Sequence, residues 1–157
     1  MILEEALKTN KFRNEQHKLL IHLWYTRSVL LTEQRRLFRT FKITPEQYNI
    51  LRILVGQKGN PLALNDLTAR MIDPSSNTSR LVEKLRSKGL LVRRECPEDR
   101  RRVDVLITGE GLDLVRKVTP KVEALESHFE SVISEEDARA LNATLERFHA
   151  TIEGATN

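Results

Sequence analysis

The chain has 157 residues, of which 39% are hydrophobic and 31% charged, with a formal net charge of +4. Such a composition builds one modest, soluble core that a partner's surface would enlarge. It excludes a disulfide framework, because Cys96 is the one cysteine, and a membrane span, because no apolar run reaches roughly 18 residues.

The acidic start Ile2-Leu3-Glu4-Glu5 does not read as a signal peptide, so the expected localisation is cytoplasmic. From about Asn14 to Thr40 the chain has no Gly or Pro. Its apolar pairs recur every seven residues at Leu23/Trp24, Leu30/Leu31 and Leu37/Phe38, the seam of a long helix lying along another helix. Thr44-Pro45-Glu46-Gln47 starts a second helix, with Thr44 as N-cap, Pro45 in the first turn and Gln47 closing a capping box. Tyr48, Leu51 and Leu54 give it an apolar side, and Gly56 to Pro61 ends it.

A short helix is expected over Asn65 to Met71, and Asp73-Pro74 then breaks the chain and caps a helix from Ser75 to about Lys88. Two short helices around a tight break form a helix-turn-helix candidate. Two strands follow, Leu90 to Glu95 and Arg102 to Ile107, with Val103, Val105 and Ile107 alternating as in a half-buried strand. A long helix begins at Thr108-Gly109-Glu110 and should bend at Pro120. Ser134-Glu135-Glu136-Asp137 caps a last helix, lined by Leu141, Leu145, Phe148 and Ile152. The expected fold is mainly α with a small β-hairpin wing. A winged helix-turn-helix over 44–108 is flanked by helical dimerisation segments, 1–43 and 109–157.

Charge is distributed unevenly. Residues 70–103 hold ten Lys and Arg against five Asp and Glu, whereas residues 110–153 hold five against ten. One module that meets a polyanion beside another that does not would show this asymmetry. On the helix from Ser75, Thr78, Leu81, Val82 and Leu85 share an inward face. Ser75, Ser76, Asn77, Ser79, Arg80 and Lys84 fall outward or on the flanks. Small polar side chains let a helix end approach base edges, Arg80 can chelate guanine, and Asn77 can pair with adenine. The alternative is a capped, solvated helix end. The turn between the strands places Arg100, Arg101 and Arg102 beside Asp99, a carboxylate that can orient a neighbouring arginine. An arginine held there can enter a narrow, electronegative minor groove.

The four histidines, His17, His22, His128 and His149, show no metal-ligand spacing, and no nucleophile elbow or phosphate loop is present. The chain therefore reads as a non-enzyme without metal or cofactor. Cys96 lies among Arg93, Arg94 and Arg100, which would favour its thiolate, or it is a bystander.

Several segments together resemble the MarR (multiple antibiotic resistance regulator) family. They are Ser79-Arg80-Leu81-Val82-Glu83-Lys84-Leu85, Lys88-Gly89-Leu90-Leu91-Val92-Arg93, Pro97-Glu98-Asp99-Arg100-Arg101, Leu106-Ile107-Thr108 with Gly111, and Thr44-Pro45-Glu46-Gln47-Tyr48. The resemblance implies a homodimeric transcriptional regulator on a pseudo-palindromic double-stranded DNA operator. Recognition helices would sit in successive major grooves and a wing arginine, Arg101 by position, in the minor groove. It also implies repression relieved by a small aromatic or phenolic effector between the dimer helices and the winged helix. His22, Trp24, Tyr25 and Tyr48 fall near that place, with ordinary packing as their alternative role. A winged-helix protein–protein adaptor without specific DNA binding is the competing class, and it should expose an apolar patch on the helix from Ser75.

Overall fold

Asn14 closes the start of a long helix by accepting the His17 backbone N–H at 2.8 Å through Oδ1. The structure is a computed structural model that describes residues 2–95 and 102–155, with side-chain surroundings through residue 152. A short first helix, α1 (Leu3–Leu7), had no clear sequence signal. It buries Leu3 and pairs Glu4 with Lys18 at 2.5 Å, at the start of α2 (Glu15–Arg39). α2 buries only Phe38, while Leu19, Trp24 and Val29 stay exposed along it.

α3 (Pro45–Val55) carries the expected capping box. Thr44 Oγ accepts from the Gln47 backbone N–H at 3.2 Å, and Gln47 Oε1 accepts from the Thr44 N–H at 3.1 Å. A two-residue strand, β1 (Leu62–Ala63), leads directly into α4 (Leu64–Ala69). The recognition-helix candidate is α5 (Thr78–Ser87), which begins three residues later than expected. Asn77, not Asp73, is its N-cap, because the Asn77 side chain accepts the Arg80 N–H at 3.1 Å. Asp73 instead folds the preceding turn onto Ser75.

Gly89 ends α5 at φ +72°, with the Leu90 N–H on the Leu85 carbonyl at 3.1 Å and the Gly89 N–H on the Arg86 carbonyl at 2.9 Å. That pair of bonds is a Schellman ending, which needs a left-handed residue. β2 (Leu91–Glu95) and β3 (Val103–Ile107) form the expected antiparallel pair, with Leu91 opposite Ile107 and Glu95 opposite Val103. The hairpin is one part of a larger sheet. β1 adds to the far side of β3, Leu62 opposite Val105, giving the order β1-β3-β2.

The core draws on every element from α3 to α6 (Gly109–Glu130): Ile50, Leu51, Leu54, Leu62, Leu67, Val82, Leu85, Leu91, Val105, Val115 and Val118. Each such side chain contributes about 1.5–3 kcal/mol over an exposed one, which fixes α5 against the sheet. α6 runs through Pro120, whose missing N–H leaves the Arg116 carbonyl without its in-helix donor. α7 (Glu135–Ala155) is capped at Ser134, whose Oγ accepts the Asp137 N–H at 3.1 Å. The chain divides into two compact units, one to Val118 and one from Thr119. In the second unit no described side chain is buried, and Phe129, Val132, Leu141, Phe148 and Ile152 are exposed.

Candidate nucleic-acid interface

Thr78, Val82 and Leu85 turn α5 inward and are buried, with Leu81 partly covered. The 3.6-residue period then carries Ser79, Arg80 and Lys84 to solvent, as the sequence implied. Ser75 and Asn77 are exposed too, and Ser76 is half-buried. Ser75 and Ser76 lie in the turn before α5 and not on its first turn. The Asn77 carboxamide oxygen holds the cap, and that bond competes with the bidentate adenine pair for which the residue suggested itself.

The turn itself is tied down from three directions. Asn49 Oδ1 of α3 accepts the Ile72 N–H at 3.0 Å. Asp73 Oδ1 accepts from the Ser75 hydroxyl at 2.5 Å and from its N–H at 3.0 Å. Asp73 Oδ2 lies 3.7 Å from Arg27 Nη2 of α2. The Ser75 hydroxyl, then its backbone N–H, then Arg27 hold the Asp73 carboxyl below its ordinary value.

Glu83 is the acidic residue within α5. Its carboxylate accepts from Arg86 Nη2 at 2.6 Å and Nε at 3.0 Å, and from Arg93 Nη1 of β2 at 3.4 Å. Arg86, with Arg93 adding to it, keeps the Glu83 carboxyl below its ordinary value. Lys88 at the end of α5 donates to the Lys42 carbonyl, anchoring that end to the turn after α2.

On the hairpin, Arg102 Nε donates to Asp104 Oδ1 at 2.9 Å. Asp104 is 7% exposed, held between Ala63 of β1 and Arg94 of β2. Arg102 therefore sits at the foot of β3 with an orienting carboxylate, the arrangement expected for Asp99 and its neighbours. Asp99, Arg100, Arg101 and Cys96 lie outside the described residues.

The aromatic candidates are spread apart. His22 is exposed, Trp24 is 59% exposed and Tyr25 is half-buried, all on α2. Tyr48 packs against Phe38 with the rings tilted by 36° and their centroids 4.8 Å apart. Phe38 lies thirteen residues beyond Tyr25, about 20 Å of helix. Among the described residues no three His, Cys, Asp or Glu side chains gather as a metal site, and no helix is long and apolar enough to cross a membrane.

Sequence reasoning missed Asn49, Arg27, Glu83 with Arg93, and Asp104. Asp104 had a signal, a carboxylate inside an otherwise apolar strand. Asn49 had none, since its partner is 23 positions away.

Comparison with known proteins points the same way. The MarR family model matches residues 41–102, which span α3 to the foot of β3. The transcriptional regulator PecS of Dickeya dadantii (strain 3937) is 33% identical over 115 residues, 71% of this chain and 68% of PecS. The transcriptional repressor MprA of Escherichia coli (strain K12) is 26% identical over 123 residues, 75% of this chain and 70% of MprA. The crystal structure of the S. aureus MepR–DNA complex superposes with a TM-score of 0.74 at 25% identity, covering 83% of this chain and 96% of that one.

Proposed function

The chain belongs to the MarR family of DNA-binding transcription regulators, and from that premise we propose that it is a homodimeric repressor that reads a pseudo-palindromic operator and leaves it when a small aromatic or phenolic effector binds. The observation that carries the reading is the outer face of α5. Ser79, Arg80 and Lys84 are exposed there, and none of the exposed large apolar side chains belongs to this helix. An adaptor helix would present the opposite chemistry. Arg80 reads a base edge, Lys84 meets phosphate, and Ser75, Ser76 and Asn77 lie where the helix N-terminus approaches the backbone. The hairpin, with Asp99, Arg100, Arg101 and Arg102, enters the adjacent minor groove.

Dimerisation through 1–43 and 109–157 is supported by the apolar side chains that one chain leaves uncovered. Leu19 and Trp24 on α2, and Leu141 and Phe148 on α7, are large apolar side chains left exposed to solvent. Repression is supported by the likeness to MprA, described as a repressor. The effector reading rests on the family resemblance and on the exposed Trp24 and half-buried Tyr25 of α2.

Selecting binding sites from random DNA and footprinting the winner tests this. Two half-sites about one helical turn apart, 10–10.5 base pairs, are expected. A single isolated half-site, or no enriched site, overturns it.

A further inference from the structure

A carboxylate on a DNA-reading helix works against binding, because it repels phosphate. Glu83 nevertheless sits midway along α5, between Arg80 and Arg86. Its two partners differ in kind. Arg86 is three residues along the same helix, so its bonds to Glu83 only reinforce α5. Arg93 is ten residues away on β2, and its bond to Glu83 leaves the helix for the sheet. Arg93 stands opposite Val105 in the ladder between β2 and β3. Behind this outer link, Leu85 of α5 and Leu91 of β2 are both buried. Apolar packing holds helix and strand together there but allows them to rock, since dispersion contacts are non-directional. A charged bond at the rim supplies the missing direction.

We propose that Glu83 is a positioning residue that ties α5 to β2 through Arg93, so that helix and hairpin meet DNA at one fixed angle. The role rests on the sequence-specific reading above. It also accounts for the acid's presence. The link costs affinity for DNA of any sequence and returns it as discrimination, because only a site with matching groove geometry satisfies both readers at once.

The test compares the full-length protein's affinity for its selected operator with that for a random-sequence duplex at the same salt. E83Q removes one negative charge, so binding to random DNA should tighten. The operator-to-random ratio should nevertheless fall, by about fivefold or more for a coupled network. E83D keeps the charge but shortens the reach, and it should lose part of the ratio as well. Thermal unfolding of both variants should stay close to the parent, since Glu83 is not in the core. In a double-mutant cycle on the ratio, E83Q should couple to R93Q and not to R86Q. A parent ratio near one would overturn the sequence-specific reading and this role with it. A large parent ratio left unchanged by E83Q, or coupling confined to Arg86, would overturn the positioning role alone.

Discussion

The carboxamide oxygen of Asn49 accepts the backbone N–H of Ile72 at 3.0 Å, joining α3 to the turn before the reading helix. The bond fixes a loop that no buried side chain of its own holds between Ile72 and Asn77. Asn49→Ala should therefore cost about 0.5–1.5 kcal/mol in urea unfolding. It should also weaken operator binding, because the N-terminal end of α5 is no longer held in place. Asn49→Asp keeps an acceptor and should recover most of the stability. If Asn49→Ala leaves both readouts unchanged, the turn is held by its other ties, those of Asp73 to Ser75 and Arg27 among them.

Among the described glycines, Gly111, in the first turn of α6, makes the tightest approach to its neighbours. A Cβ there would stand 2.2 Å from the Leu90 carbonyl oxygen and 2.7 Å from Ile107 Cγ1. The same carbonyl accepts the Thr108 N–H at 3.2 Å, and Thr108 Oγ donates to the Gly89 carbonyl at 2.7 Å. The backbone here has no room to yield without loosening the start of α6. Gly111→Ala should destabilise by about 1–3 kcal/mol, toward the upper end because backbone is struck. The urea midpoint should fall with little change in slope. An unchanged midpoint would mean that α6 shifts freely against β3.

What could be read in the sequence was whatever local chemistry decides. Thr44 with Gln47, Ser134 with Asp137, and Gly89 after α5 are short-range signals, and each falls where it was expected. The outward placement of Arg80 and Lys84 followed from helical period alone. The start of α5 was misplaced because Asp73, Ser75 and Asn77 can all cap a helix, and tertiary contacts chose among them. Asp73 is engaged by Ser75 and Arg27, which leaves Asn77 for the cap. β1 has two residues and no period to detect; its pairing with β3 spans more than forty positions. Tyr48 meets α2 at Phe38, near its C-terminal end and thirteen residues beyond Tyr25, a placement that depends on how α2 and α3 pack. Links such as Glu83 to Arg93 depend on how helix and sheet meet, which no local pattern encodes.

Acid should loosen the turn before α5 in a defined direction. The Asp73 carboxyl is held below its ordinary value chiefly by the Ser75 hydroxyl, then by the Ser75 N–H and Arg27. A depressed folded-state value means the contribution is complete above the unfolded carboxylate value, about pH 3.9, and is lost as pH falls through the lower folded value. Hydrogen exchange of the Ser75 amide should thus stay protected from neutral pH down to about pH 4 and lose protection below it. Asp73→Asn should remove that acid dependence at this amide. If the parent and Asp73→Asn show the same pH profile, Asp73 does not organise the turn.

Arg80 and Lys84 share the exposed side of α5 one turn apart, yet they should fail differently when removed. A guanidinium that chelates guanine O6 and N7 discriminates between bases, whereas an ammonium near phosphate does not. Arg80→Ala should weaken operator binding by about 1–3 kcal/mol and flatten preference at one base-pair position in each half-site. Lys84→Ala should weaken operator and random DNA alike, and reduce the slope of log affinity against log salt by about one. Titrations at three salt concentrations with both duplexes separate the two. If Arg80→Ala changes only the salt slope, base reading belongs elsewhere on the helix, and the polar residues before it, Ser76 and Asn77, become the side chains to test next.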